Sequence, residues 1–86
     1  MKALIDYLEY PNISIGNYDS SYYVAGCGKS IIVNTTNENK NISINIDNIA
    51  NGVINIAPYG NIEIPFMKSL SIPSLTASFN IITYLN

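Results

Sequence analysis

The chain of 86 residues has no histidine, no arginine and no tryptophan, and its single cysteine is Cys27. Without histidine, the side chain that most often acts as a base at neutral pH is missing, which excludes serine and cysteine triads. One cysteine cannot form an intrachain disulfide and supplies too few soft ligands for a structural zinc site. We therefore expect a protein with no enzymatic activity, no metal and no cofactor.

Charge is also scarce, because 12% of the residues are charged, against about 25% in an ordinary soluble domain. Four lysines are outnumbered by six acids, and the net charge is −2. Nucleic-acid binding needs clustered positive charge, so we expect no DNA or RNA partner. No window approaches the roughly 18 apolar residues of a membrane span, so we expect no membrane partner either.

Asn, Ser and Thr stand where charged residues would be expected, and two explanations remain open. Uncharged polar side chains are buried against a partner at a lower desolvation cost than Lys or Glu, which favours a protein interface. Codon usage in an AT-rich genome is the alternative. A chain this short buries only about 60–65% of the surface that it exposes when unfolded, so we expect association with other chains to add stability.

The stretch VAGCGKS, residues 24–30, has the ending of a phosphate-binding loop. The motif requires a glycine at position 23, where the chain has Tyr23, and a helix after the serine. A β-branched run, Ile31 to Val33, follows instead and disfavours a helix. We interpret the stretch as a glycine-rich bend between two strands, with Cys27 as a structural or incidental thiol.

Alternation of apolar and polar residues with a period of two predicts strands along most of the chain. The clearest case is NISINID at 41–47, in which Ile42, Ile44 and Ile46 share one face. The same alternation recurs at 12–15, 53–56 and 61–66, and a richness in β-branched and aromatic residues predicts further strands at 21–25, 30–34 and 78–85. Turn signals recur about every 8–12 residues, and Asn51-Gly52 suits a hairpin turn between strands that end near Asp47 and begin at Val53.

These patterns predict one all-β domain over residues 1–86, a small antiparallel β-sandwich or barrel of about seven strands. Its strand order is expected to be Ig-like or jelly-roll-like. Residues 1–11, MKALIDYLEYP, fit both a helical face and a strand face. Because Pro11 follows and no helix cap is present, we expect an arm or edge strand there. The segment also lacks the layout of a signal peptide, so we expect no secretory leader.

Four of the seven tyrosines lie in or near predicted turns and are candidate contact residues: Tyr18, Tyr22, Tyr23 and Tyr59. Aromatic rings in turns can anchor a protein contact or stack on a sugar face. The alternative is that they close the ends of a small core, with their hydroxyl groups in water.

The Ile/Asn-rich strands and the segment GNIEIPFMKSLSIPSLTASFNIITYL, residues 60–85, resemble small virion proteins of AT-rich tailed bacteriophages. Capsid auxiliary or decoration proteins and head-fibre components have this style. The likeness covers the last third of the chain and concerns composition and strand rhythm, so it transfers no functional residues. It implies symmetric copies on a virion assembled in the host cytoplasm, and no enzymatic activity.

We therefore expect a structural protein that binds copies of itself or other virion proteins through its β-surface. The rival hypothesis, from a different class, is a small carbohydrate-binding or adhesin-like module. It would use the turn tyrosines and would bind a glycan as an isolated monomer.

Overall fold

The computed structural model describes residues 12–86. The expectation of an arm or edge strand concerns residues 1–11, which lie outside the described residues. The described chain forms eight strands: β1 (Asn12–Asn17), β2 (Tyr22–Ala25), β3 (Gly28–Asn34), β4 (Lys40–Ile46), β5 (Ile49–Ile56), β6 (Asn61–Phe66), β7 (Ser69–Ile72) and β8 (Phe79–Leu85).

The strands form two antiparallel sheets of four, which confirms the predicted β-sandwich. Sheet A has the order β1-β8-β3-β6, and sheet B has the order β2-β7-β4-β5. The chain behaves as one long hairpin, since β4 pairs with β5, β3 with β6, β2 with β7 and β1 with β8. Rolling this hairpin up adds the pairs β3·β8 and β4·β7. The resulting order is that of a jelly roll, one of the two orders expected from the sequence.

Seven of the eight strands lie where the sequence predicts them, and the strand that was not predicted is β7. This strand has four residues, SLSI, between Lys68 and Pro73, and it alternates as NISI does at 12–15. Leu70 and Ile72 of this strand are fully buried. β7 is therefore a small but essential part of sheet B.

The core lies between the two sheets and takes side chains from both. Ile42 and Ile44 of β4 face inwards and are 2% exposed, as their spacing predicts. The buried apolar cluster consists of Tyr22, Ile32, Ile42, Ile44, Ile56, Ile64, Phe66, Leu70, Ile72, Leu75, Phe79 and Ile81. Burial of these side chains on both inner faces is the main force that holds the sheets together.

The predicted hairpin joins β4 to β5, but the turn is not at Asn51-Gly52. The chain turns at Asp47 and Asn48, whose φ angles of 54° and 66° suit a two-residue primed turn. Asn51-Gly52 lies inside β5, at a shift in register that bulges the strand. Asp and Asn also tolerate positive φ, and hydrogen bonds to the Asp47 carboxylate favour the earlier position.

The stretch 24–30 forms a bend between β2 and β3, as predicted, and no helix follows it. Gly26 has a φ of 125°, which favours glycine. A Cβ atom at Gly28 would overlap the backbone oxygen of Tyr84, so β3 and β8 approach closely there. Within residues 12–86 no helix is long and apolar enough to cross a membrane.

Candidate functional site

Two of the four candidate tyrosines belong to the interior. Tyr22 is 8% exposed, and its hydroxyl oxygen lies 2.5 Å from Oγ1 of Thr83 on the opposite sheet. The ring of Tyr18 packs against the core, with its centroid 4.8 Å from that of Tyr22. Tyr22 is therefore a core residue, and Tyr18 covers one margin of the core.

The other two candidate tyrosines are exposed but lie apart. Tyr23 is 64% exposed on β2, one edge strand of sheet B, and Tyr59 is 69% exposed in the turn after β5, the opposite edge strand. Three strand spacings separate the two edges, a distance of about 14 Å. The structure therefore does not bring the four tyrosines together into one binding platform.

Tyr59 occupies an unusual backbone position. The N–H of Gly60 donates to the carbonyl of Ala57 (2.9 Å), which closes a turn with Pro58 and Tyr59 at its centre. Tyr59 has a φ of 55°, a conformation that bulky residues rarely adopt. Glycine or asparagine is usual at this place in such a turn. The backbone is therefore locally strained at Tyr59, and the aromatic ring of this residue is exposed to solvent.

A chain of three hydroxyl groups is buried between the sheets. The Thr83 oxygen lies 2.7 Å from Oγ of Ser30 and 2.5 Å from the Tyr22 hydroxyl oxygen. Ser30 and Thr83 are at most 1% exposed. The three groups satisfy one another inside the core, so this cluster contributes to the packing of the two sheets.

Asn34, a residue that the sequence analysis did not single out, joins three segments at one end of the sandwich. Its side chain is fully buried, and its NH₂ group donates to the carbonyls of Glu38, Ile56 and Ala57 at 2.7 to 3.1 Å. Its Oδ1 atom accepts from the N–H and the hydroxyl of Thr36. Asn34 therefore fixes the β3–β4 connection against the end of β5.

Asp47 performs the corresponding task at the other end of the sandwich. One oxygen of its carboxylate accepts from the backbone N–H groups of Met67, Lys68 and Ser69, at 3.0, 2.6 and 3.1 Å. The N–H groups of Lys68 and Ser69 hold the pKa of Asp47 below its ordinary value of 3.8, because they stabilise the charged form. The carboxylate therefore ties the β4–β5 turn to the β6–β7 turn.

The remaining chemically active side chains are dispersed. Cys27 is exposed in the β2–β3 bend, next to the side chain of Asn86. Lys29 pairs with Glu63 at 3.0 Å. In the part of the chain that the structure describes, no three His, Cys, Asp or Glu side chains lie close enough to hold a metal ion.

The outer face of sheet A mixes apolar side chains with amides and an ion pair. The register of the strands places on it the apolar side chains Ile13, Ile15, Ile31, Val33, Pro65, Ile82 and Tyr84 and the polar side chains Asn17, Lys29, Asn61, Glu63 and Asn80. Ile15 is 74% exposed and Ile13 is 39% exposed. The ammonium group of Lys29 lies 5.5 Å from the centre of the Tyr84 ring, a cation–π contact.

The outer face of sheet B is polar but carries no charge. The register places these side chains on it: Tyr23, Ala25, Asn41, Ser43, Asn45, Ala50, Val53, Asn55 and Ser71. Val53 is 65% exposed. Most of the others are small amides or hydroxyls, which can both donate and accept hydrogen bonds. The candidate contact surfaces are therefore two: this uncharged face with Val53 of β5, and the exposed isoleucines of β1 on the opposite side of the sandwich.

The chain matches no protein-family model, and neither the curated proteins nor the solved structures contain a match.

Proposed function

We propose that the protein is a non-enzymatic structural component of a tailed-phage virion, of the capsid auxiliary, decoration or head-fibre kind. It acts by β-surface contacts with copies of itself or with other virion proteins, and it joins the particle in the host cytoplasm. The observation that carries this proposal is the exposure of Ile15 on β1 and Val53 on β5. Neither of these edge strands contains a charged residue or a proline.

Exposed aliphatic residues on unguarded edge strands favour association, because soluble monomers usually protect such edges with lysine, proline or short strands. The jelly-roll order agrees with the proposal, since viral capsid domains often have this architecture. Lectin domains share it, so the fold alone does not separate the two hypotheses. The exposed aliphatic residues on the edge strands β1 and β5 are what favour assembly over sugar binding.

The proposal is tested by mass spectrometry of purified particles of a phage that encodes the chain. Cleavage after Lys40 and Lys68 releases residues 41–68, a peptide that identifies the protein. We expect this peptide to co-purify with the particles at a fixed ratio to the major capsid protein. The same density fraction from uninfected host cells is the control. Absence of the peptide from intact particles, or a ratio that varies across the gradient, would contradict the proposal.

The carbohydrate-binding alternative rests on Tyr59, a strained and exposed aromatic residue in a turn. It predicts saturable binding of a glycan by the monomer, because sugar rings stack on such faces. Titration of a glycan set against the ¹⁵N-labelled chain measures this binding. Tyr59→Ala should abolish it, whereas Tyr23→Ala, at the opposite edge of sheet B, is the matched control. An absence of chemical-shift changes with every glycan would remove this alternative.

A further inference from the structure

The four edge strands of the sandwich are protected to different degrees. Sheet A ends at β1 and β6, and sheet B ends at β2 and β5. β6 carries Pro65 and Glu63, and both a proline and a charge on an edge discourage pairing with another chain. β2 has only four residues, which is a third form of protection. β1 and β5 have none of these features.

β5 is the longer of the two unprotected strands, with eight residues. Its register shift is confined to its first half, and Val53 to Ile56 pair regularly with β4. β5 lies at the end of sheet B, and β4 is its one neighbour in that sheet among the described strands. The second half of β5 therefore presents a regular edge that no described strand pairs with.

We propose that β5 pairs with β5 of a second copy of the chain, antiparallel across a two-fold axis. Sheet B then continues as one sheet of eight strands. This inference rests on the proposed assembly function and names the contact that it uses. Main-chain hydrogen bonds between edge strands supply affinity, and a strand paired with itself about a two-fold axis is necessarily antiparallel.

The charge distribution favours a second copy over another partner at this edge. In a two-fold contact each surface meets its own copy, so any net charge on that surface repels itself. β5 and the outer face of sheet B are uncharged, and the net charge of −2 resides elsewhere. With the axis at Ile54, Val53 of one copy faces Asn55 of the other, and neither side chain is charged.

The size of the contact sets its strength. Four regular residues, together with the side chains beside them, bury less than the roughly 1,200–2,000 Å² of a standard interface. We therefore expect a weak dimer whose population depends on protein concentration. On a shell, where copies are held close together, such a contact would be strengthened by the high local concentration.

The experiment is analytical ultracentrifugation of the full chain over a series of concentrations. We expect the apparent mass to rise from 9.4 kDa towards twice that value. Val53→Lys places a charge next to the axis and should weaken dimerisation at least about tenfold. Ile15→Lys is the matched control, since it makes the same kind of change at an exposed position on β1, and it should leave the dissociation constant unchanged.

Amide hydrogen exchange on the wild-type chain tests the contact without a variant. Exchange within residues 53–56 should slow as concentration rises, while exchange in β1 stays the same. A wild-type chain that remains at 9.4 kDa throughout would overturn the inference, as would loss of the dimer in Ile15→Lys but not in Val53→Lys. The proposed function would survive either result if the peptide 41–68 is found in purified virions, so the two failures are distinguishable.

Discussion

The tetrapeptide Asn-Ile-Ser-Ile occurs twice in this chain, at 12–15 in β1 and at 41–44 in β4. Both copies form strands, as their alternation predicts. The two isoleucines in β4 are 2% exposed, whereas Ile13 and Ile15 in β1 are 39% and 74% exposed. The two isoleucines of the same tetrapeptide thus face the core in one strand and point away from it in the other. A period of two predicts a strand but leaves open which of its faces is covered.

Gly16 explains the orientation of β1. A Cβ atom there would lie 2.6 Å from the ring of Tyr18, which lies over this glycine. Gly16 must therefore face the ring, on the inner side of sheet A opposite Ile81. Because side chains alternate along a strand, Ser14 shares that side, and Ile13 and Ile15 point outwards.

The difference in burial between the two copies of the tetrapeptide is tested most directly by the same substitution in each. Ile44→Ala should lower the free energy of unfolding by about 3–4 kcal/mol, because it leaves a cavity in a packed core. Ile15→Ala, at the equivalent place in the other copy, should change it by less than about 0.5 kcal/mol. Urea denaturation of both variants measures the difference. Equal losses would show that β1 buries its isoleucines.

Asn34 helps to fix the start of β4, and we expect its substitution to cause the next largest loss in the free energy of unfolding. Asn34→Ala leaves the buried carbonyl of Ile56 and two partly buried carbonyls without their donor and should cost about 3 kcal/mol. Asn37→Ala, an exposed residue in the same connection, is the control and should cost less than about 0.5 kcal/mol. Thermal melts at neutral pH compare the two variants. A Tm for Asn34→Ala near that of the wild type would contradict the role assigned to its amide.

The explanation for β1 can be tested by a double-mutant cycle. Gly16→Val should cost about 1–2 kcal/mol, because the Tyr18 ring has to move away from the strand. In a Tyr18→Ala background the same substitution should cost almost nothing, so the two effects will not add. Denaturation of the three variants supplies the coupling energy. Additive losses would mean that the ring does not determine which way β1 faces.

The carboxylate of Asp47 fixes the end of β4. We expect its substitution to cause the smallest loss of stability among these variants. Its lowered pKa means that its contribution is complete above the ordinary pKa and is lost as the pH falls through the native value. Asp47→Asn should therefore have a lower Tm than the wild type near neutral pH. The difference should begin to shrink as the pH falls below about 4, and it should disappear only below the lowered native pKa of Asp47. Asp19→Asn, in the β1–β2 connection, is the control. A constant difference across this range would exclude the proposed linkage.

Much of the fold follows from the sequence, because alternation of apolar and polar residues and richness in β-branched and aromatic residues predict seven strands and the all-β class. β7 was not predicted although SLSI alternates as NISI does at 12–15, and the hairpin turn was misplaced because Asp47-Asn48 and Asn51-Gly52 both tolerate positive φ. Local residues could not decide between these turns, since the choice depends on N–H groups some twenty positions away.

The candidate site was less predictable than the fold. The four tyrosines were chosen because they lie in or near predicted turns. Tyr22 is nevertheless a core residue, because it pairs with the buried Ile72 and so lies on the inner face of sheet B. The role of Asn34 could not be predicted, because nothing in the neighbouring sequence distinguishes it from the other asparagines. The carbonyls that its amide binds come together only in the folded chain. A glycine inside a strand signals a close approach of another group, but Gly16 lies one residue beyond the strand predicted at 12–15 and inside the observed β1.

The rolled-up hairpin also has a kinetic consequence. β8 lies between β1 and β3, so two early strands of sheet A share a neighbour that is synthesised last among the eight. Contacts that span most of the chain close slowly, because the entropy of a long loop must be lost before they form. Until β8 is synthesised, the edge of β1 that pairs with it is open to water and to other chains, so a chaperone that shields β1 would protect the nascent chain from aggregation.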